Sequence, residues 1–184
     1  MSALPQACGM PAIDRWHEVY IGLGSNLDHP VEQVRIAIRE IARIDGVRVI
    51  RCSSLYETAP VGLTTQPSFV NAVVLVSTSL APRDLLQRLL DVETSHARVR
   101  AERNGPRTLD LDILLFGGQT MNVPGLAVPH PRLHERAFAL LPLLELDSEL
   151  TIPGVGKASA LLESVAGQGI RRMDLDASVG TTAP

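Results

Sequence analysis

Gly105-Pro106-Arg107-Thr108-Leu109-Asp110-Leu111-Asp112-Ile113-Leu114-Leu115-Phe116 is an apolar run opened by Gly-Pro and broken twice by carboxylates. Gly-Pro ends whatever precedes it, and the Leu, Ile and Phe content that follows is that of a buried strand. Side chains alternate faces along a strand, so Asp110 and Asp112 point one way while Leu109, Leu111 and Ile113 point the other. Two like charges on one face of such a strand are costly. They are either solvated at an exposed end, or paired, protonated or bound to metal. A divalent cation with oxygen ligands, Mg²⁺ above all, suits the second reading.

The residues just upstream favour that second reading. Arg98, Arg100, Arg103 and Arg107 fall within ten residues and are opposed only by Glu102. Carboxylates for Mg²⁺ beside a local arginine excess suit a polyanion that carries its own metal, which is to say a nucleoside triphosphate. Arginine serves this better than lysine because its planar fork grips phosphate oxygens in pairs.

The 184 residues are enough for one domain with a real core, 45% hydrophobic but only 3% aromatic, so that core is aliphatic. A net charge of −3, with neither a basic face nor interleaved aromatics, argues against general nucleic-acid or membrane-surface binding. No apolar run approaches ~18 residues, so no membrane span is expected. The N-terminus has no basic region followed by an apolar stretch, and a cytoplasmic protein is expected. Cys8 and Cys52 suit neither a disulfide framework nor a zinc site.

In order along the chain, residues 1–17 read as a loose N-terminal extension, 18–168 as a single domain and 169–184 as a C-terminal tail. Residues 18–24 look like a first strand. Gly22-Leu23-Gly24-Ser25-Asn26 then turns into a helix, with Asp28 as N-cap, Pro30 in the first turn, and Val31, Val34, Ile38 and Ile41 at helical spacing. The turn lacks the spacing of a phosphate loop and reads as a tight strand-to-helix connection. Residues 47–56 form a second strand and 58–67 a loop of the length that carries function. Residues 69–76 form a third strand, in which Asn71 is either a satisfied structural amide or a reader of a ligand's ring edge. A helix follows from Pro82, with Glu93 near its end as a default surface acid. After the Asp110/Asp112 strand, Gly117-Gly118-Gln119 is a hairpin turn into residues 121–123. A helix then runs to about Leu146, with a short strand at 150–152 and a last helix near 157–166. His130 and His134 resemble a metal pair, but Pro131 between them argues against zinc. The order strand, helix, strand, strand, helix, strand is the split β-α-β arrangement of an α+β ferredoxin-like fold. An antiparallel sheet is expected, with the core helices on one face and the later helices appended.

With these residues in view, the chain resembles the 6-hydroxymethyl-7,8-dihydropterin pyrophosphokinases of folate biosynthesis over roughly residues 19–146. The likeness is carried by Gly-Leu-Gly-Ser-Asn-Leu, Ser-Ser-Leu-Tyr-Glu-Thr-Ala-Pro-Val-Gly, Gln-Pro-Ser-Phe-Val-Asn-Ala, Gly-Pro-Arg-Thr-Leu-Asp-Leu-Asp-Ile and Val-Pro-His-Pro-Arg. The resemblance implies transfer of the β,γ-pyrophosphate of ATP to the pterin hydroxymethyl group, releasing AMP. It implies that Asp110 and Asp112 bridge two Mg²⁺ ions, and that Arg98, Arg100 and Arg107 hold phosphates, with Glu93 in the same catalytic region. His130 and Arg136 match ATP-phosphate contacts, and Ile113 an adenine contact. Phe69 and Phe138, which would otherwise be core, match the pair that sandwiches the pterin. Asn71 matches its hydrogen-bonding partner, and Thr58 and Val61 lie in the loop whose backbone reads its edge. The partners implied are ATP and a dihydropterin, with a monomeric enzyme expected. Asn104 stands where some members have Trp, the loop between Arg100 and Arg107 is one residue shorter than in those, and Pro131 replaces a frequent Tyr. Two rivals are a nucleotide-sugar transferase using Asp-x-Asp, which the short chain disfavours, and a non-enzymatic ferredoxin-like binding module. The module would need neither the Asp pair nor four arginines.

Overall fold

A computed structural model describes residues 16–60, 66–96 and 107–174. The chain runs β1 (His17–Ser25), α1 (Pro30–Ile41), β2 (Val47–Cys52), β3 (Tyr56–Thr58), β4 (Phe69–Thr78), α2 (Pro82–Ser95), β5 (Asp110–Phe116), β6 (Met121–Val123) and β7 (Leu126–Val128). It continues with α3 (Ala137–Leu146), β8 (Thr151–Ile152), β9 (Gly156–Lys157), α4 (Leu162–Val165) and β10 (Ile170–Arg172). Six strands form the main sheet in the order β10-β3-β4-β1-β5, with β2 also on β4, and every pairing is antiparallel. This is the expected ferredoxin-like α+β topology.

Strand alternation sorts the sheet into two faces. Val19, Ile21 and Leu23 of β1, Val70, Ala72, Val74 and Val76 of β4, and Leu109, Leu111 and Ile113 pack with Val34, Ala37 and Ile41 of α1 and Leu85, Leu89 and Val92 of α2. The other face carries Tyr20, Val73, Leu75 and Leu115 against Leu133 and the Ala137, Leu140 and Leu143 side of α3. The sheet is therefore sandwiched, and α3 covers only part of its second face. The uncovered remainder is the floor of the cleft described below.

Several local readings are corrected. The N-cap of α1 is His29, not Asp28, and both residues are left-handed (φ 63° and 49°). Pro30 fixes the first helical φ, and the His29 side chain makes no capping hydrogen bond. The single strand expected over 47–56 is two, because the chain breaks at Ser53, whose N–H donates to the Val73 carbonyl and whose Oγ accepts the Val73 N–H (both 2.9 Å). Met121–Val123 pairs with β7, not with β5. Pro124-Gly125, with Gly125 at φ 84°, makes the turn between them. The tail expected from Gly169 contains β10, which pairs with β3. The last helix is a 3₁₀ turn, Ala158–Leu161, leading into the short α4.

Candidate active site

The central register brings three kinds of side chain into rows. Asn71 of β4 pairs with Gly24 of β1, which pairs with Asp110 of β5; one step on, Val73 pairs with Gly22 and Gly22 with Asp112. The two glycines thus lie between the amide on one side and the carboxylates on the other. A Cβ on Gly24 would sit 3.2 Å from Asn71 Oδ1, and one on Gly22 would sit 3.3 Å from the Leu114 side chain. Leu114 is the extra residue of a bulge, since Ile21 pairs with Ile113 but Tyr20 with Leu115. Lacking side chains, Gly22 and Gly24 form the floor of a cleft of about 340 Å³.

Nine residues singled out from the sequence line this cleft. Asp110, Asp112, Arg107, His130 and Arg136 make one group, and Thr58, Phe69, Asn71 and Phe138 the other. Arg107 donates through Nη1 to Asp110 Oδ2 at 2.5 Å, and its guanidinium lies 5.4 Å from the Phe69 ring centre. Among the described residues, Arg107 Nε is buried with no hydrogen-bond partner. Arg136 lies 5.4 Å from the Phe138 ring centre, and burial lowers its pKa against the opposing pull of Asp112. The His130 N–H donates to the Leu114 carbonyl at 2.9 Å, hanging this residue on the outer edge of β5. Burial, then the charge of Arg136, lower its pKa to about 4, so the ring is neutral at pH 7. Its Nδ1 accepts the Arg132 N–H at 3.2 Å, which leaves the proton on Nε2 as a donor. Asn71 Nδ2 donates to Thr58 Oγ1 at 2.8 Å, which fixes the orientation of the amide.

Two predicted residues are not brought into the cleft. Ile113 is 3% exposed and packs in the core under α1 and α2, on the opposite face from Asp112. Glu93 is no surface acid: it is 2% exposed, and its Oε1 accepts the Leu111 N–H at 2.7 Å. Among the described residues β5 is the sheet edge, so an outward N–H there has no strand partner among them, and the Glu93 carboxylate supplies one directly between the two aspartates. Val61, Arg98 and Arg100, with Arg103 and Asn104, lie outside the described residues.

Asn26, read from the sequence only as part of a turn, is a junction of three segments. Its Oδ1 accepts the Arg107 N–H (2.8 Å), its own N–H donates to the Arg107 carbonyl (3.1 Å), and its Nδ2 donates to Gln66 Oε1 (3.1 Å) and the Pro67 carbonyl (3.2 Å). It ties the end of β1 to the approach to β5 and to the approach to Phe69. Its polarity next to the Gly-x-Gly floor was the available signal.

Comparison with known proteins follows the same lines. Residues 20–148 match the family described as 7,8-dihydro-6-hydroxymethylpterin-pyrophosphokinase (HPPK). A 2-amino-4-hydroxy-6-hydroxymethyldihydropteridine pyrophosphokinase of Pseudomonas aeruginosa is 45% identical over 155 residues, covering 84% of this chain and 96% of its own. The Haemophilus influenzae protein of the same name is 41% identical over 147 residues, covering 80% and 92%. The fold is similar to a Plasmodium falciparum HPPK-DHPS crystal structure with pterin and p-hydroxybenzoate (TM-score 0.63, 15% identity, 81% of this chain), of which this chain spans 43%. With 129 consecutive positions matched, from the first strand through α3, the chain belongs to the 7,8-dihydro-6-hydroxymethylpterin-pyrophosphokinase family.

Proposed function

We propose that this protein transfers the pyrophosphoryl group of ATP to the hydroxymethyl of 6-hydroxymethyl-7,8-dihydropterin, giving AMP and the pterin diphosphate for folate biosynthesis. Family membership gives the reaction. The observation that supports the assignment to this cleft is that one cavity is lined both by the ionic groups Asp110, Asp112, Arg107, His130 and Arg136 and by Phe69, Phe138, Asn71 and Thr58. The hydroxymethyl oxygen attacks the β-phosphorus, the Pα–O–Pβ bond breaks, and AMP leaves with the bridging oxygen.

Asp110 and Asp112 would hold Mg²⁺, two ions being expected. Among the described residues no group of three or more His, Cys, Asp or Glu is placed to enclose a metal. Two carboxylates with the remaining positions left to phosphate oxygens and water are what Mg²⁺ takes in nucleotide enzymes. When bound, the metal offsets charge on the transferring phosphoryl group and lowers the pKa of the attacking hydroxyl. Asp110 is the residue assigned to assist that proton. Arg107, Arg136 and the Nε2–H of neutral His130 are donors for the triphosphate, and Arg98 and Arg100 are assigned to the same task from the adjoining segment. Glu93 acts through the Leu111 N–H, holding the strand that carries both aspartates. Any contact of Ile113 with adenine is through its backbone, since its side chain is in the core.

In the same cavity, Phe69 and Phe138 supply faces for a flat heterocycle. Asn71, its orientation fixed by Thr58, reads the ring edge together with the backbone at Thr58 and Val61. No helix among the described residues is long and apolar enough to cross a membrane, and action as a cytoplasmic monomer is part of the proposal.

Product analysis tests the reading. Purified protein with Mg²⁺-ATP and 6-hydroxymethyl-7,8-dihydropterin is expected to yield AMP one-for-one with pyrophosphorylated pterin. ADP in place of AMP, or nucleotide turnover independent of pterin, would refute it.

A further inference from the structure

The first turn of α3 presents Arg136 and Phe138 to the cleft, yet its own N-cap residue provides no side-chain cap. The cap comes from 31 residues further on. Gln168 Oε1 accepts the Ala137 N–H at 2.9 Å, and Gln168 Nε2 donates to the Glu135 carbonyl at 2.7 Å. One amide thus grips both sides of Arg136 and fixes the angle at which the helix starts.

The next residues hold the opposite wall. The Ala59 N–H donates to the Gly169 carbonyl at 3.3 Å, and Ile170 pairs with Thr58 in the β10–β3 ladder. The ladder is pinned beyond the cleft by Arg171 to Glu57 (2.5 Å), Arg172 Nε to Ser54 Oγ (2.8 Å) and the Met173 N–H to the Leu55 carbonyl (2.8 Å). Gln168 itself lines the cleft. The segment is therefore a bracket with one end on the Phe138 wall and the other on the Thr58 wall.

We propose that Gln168 is a positioning residue for the Phe138 and Thr58 walls of the site, and that residues 168–172 set the distance between them. This rests on the reading of Phe138 and Thr58 as pterin-facing. Losing the bracket leaves the aspartates and Arg107 where they are, because these hang on β1, β5 and Asn26. It frees Phe138 to move with the start of its helix. Arg136 shares that turn, so a smaller effect on ATP accompanies the effect on pterin.

The test compares Gln168→Ala, Gln168→Glu and Phe138→Ala in the full chain, with KM for each substrate, kcat and thermal midpoint measured. In Gln168→Ala the pterin KM is expected to rise about tenfold, the loss of about two hydrogen bonds. The ATP KM is expected to rise about threefold or less. Gln168→Glu keeps an acceptor for the Ala137 N–H but sets a carboxylate against the Glu135 carbonyl, so its pterin KM should fall between wild type and Gln168→Ala. A Gln168→Ala enzyme with lower specific activity but unchanged KM values would assign the residue a merely structural role and overturn the inference. So would unchanged kinetics throughout. If Phe138→Ala also leaves the pterin KM unchanged, the placement of the pterin site is what failed; if Phe138→Ala raises it and Gln168→Ala does not, the bracket alone is wrong.

Discussion

Replacing Asn26 by Ala probes how the approaches to β4 and β5 are held beside the site. The substitution deletes three side-chain hydrogen bonds at a residue that is 2% exposed and keeps the backbone bond to Arg107. Gln66 is only half-buried and Pro67 is exposed, so both acceptors regain water and each loss costs about 0.5 kcal/mol. The Arg107 N–H is different. It is left facing the part-buried space that Oδ1 vacates beside the buried Asn26 site, and a donor left unsatisfied there costs about 1–3 kcal/mol. The total is about 2–4 kcal/mol, which in a chain of this size lowers the thermal midpoint by roughly 4–16 °C. Asn26→Asp is the sharper variant. It retains an acceptor for Arg107 but sets carboxylate oxygen against two acceptors, Gln66 Oε1 and the Pro67 carbonyl. Its folded-state carboxyl pKa is therefore raised, so at pH 7 the aspartate variant should be no more stable than the alanine one. The deficit should shrink as pH falls, because the folded state takes up a proton that the unfolded chain takes up only at lower pH. Urea titrations at pH 7 and pH 5 read this as a change of midpoint at constant slope. An alanine variant destabilised by less than about 1 kcal/mol, or an aspartate variant equal to wild type at pH 7, would refute the junction argument.

Asp110→Asn and Asp112→Asn should each lower kcat/KM by about a thousandfold or more with the circular dichroism spectrum unchanged, since the strand's burial rests on Leu109, Leu111 and Ile113. Magnesium-dependent activity retained in either variant would sink the metal assignment. His130 has its pKa held at about 4 by burial, so its stabilising contribution is complete above pH 6.5 and is lost as pH falls from there toward 4. At pH 5 the loss amounts to at most about 2 kcal/mol, and His130→Gln should show a correspondingly flatter stability profile between pH 7 and 5 in urea titrations. Parallel profiles would contradict it. Gly24→Ala adds a methyl group to the cleft floor 3.2 Å from Asn71 Oδ1. Reduced freedom of the unfolded chain offsets that contact, so stability should change by less than about 1 kcal/mol while the pterin KM rises. An unchanged KM would mean that Gly24 does not floor the pterin site.

Much of this architecture is written in local patterns. The alternation in Leu109–Ile113 puts the aspartates on one face because a strand has period two, and the helical spacing of Val34, Ile38 and Ile41 survives in α1. What escapes is what depends on distant partners. Glu93 looks like any acid near a helix end, and only the edge position of β5 turns it inward to Leu111. Asn26 makes its side-chain bonds to residues 40, 41 and 81 positions away, and no local pattern encodes such contacts. Strand β10 is three residues without alternation, held by Arg171, Arg172 and its ladder to β3. The pairing of β6 was legible, since Pro124-Gly125 is a type II turn signal stronger than Gly117-Gly118.

The site depends on register more than on any single group. Along β4, β1 and β5 the sequence places polar, small and acidic residues so that they fall in one row: Asn71, Gly24 and Asp110, with Gly22 and Asp112 in the next. A slip of β5 by one residue would turn Leu111 and Ile113 into the cleft and drive both carboxylates into the core beneath α1 and α2, at a cost of several kcal/mol per uncompensated charge. The hydrophobic alternation that makes the core therefore also fixes the row of cleft-lining residues. The bulge at Leu114 completes the arrangement. By inserting one residue it lets Asp110 and Asp112 share the cleft face while Leu115, beyond it, pairs with Tyr20 and packs under α3. The same bulged residue offers its carbonyl to the His130 N–H, so the irregularity that ends the carboxylate row also hangs His130 beside it.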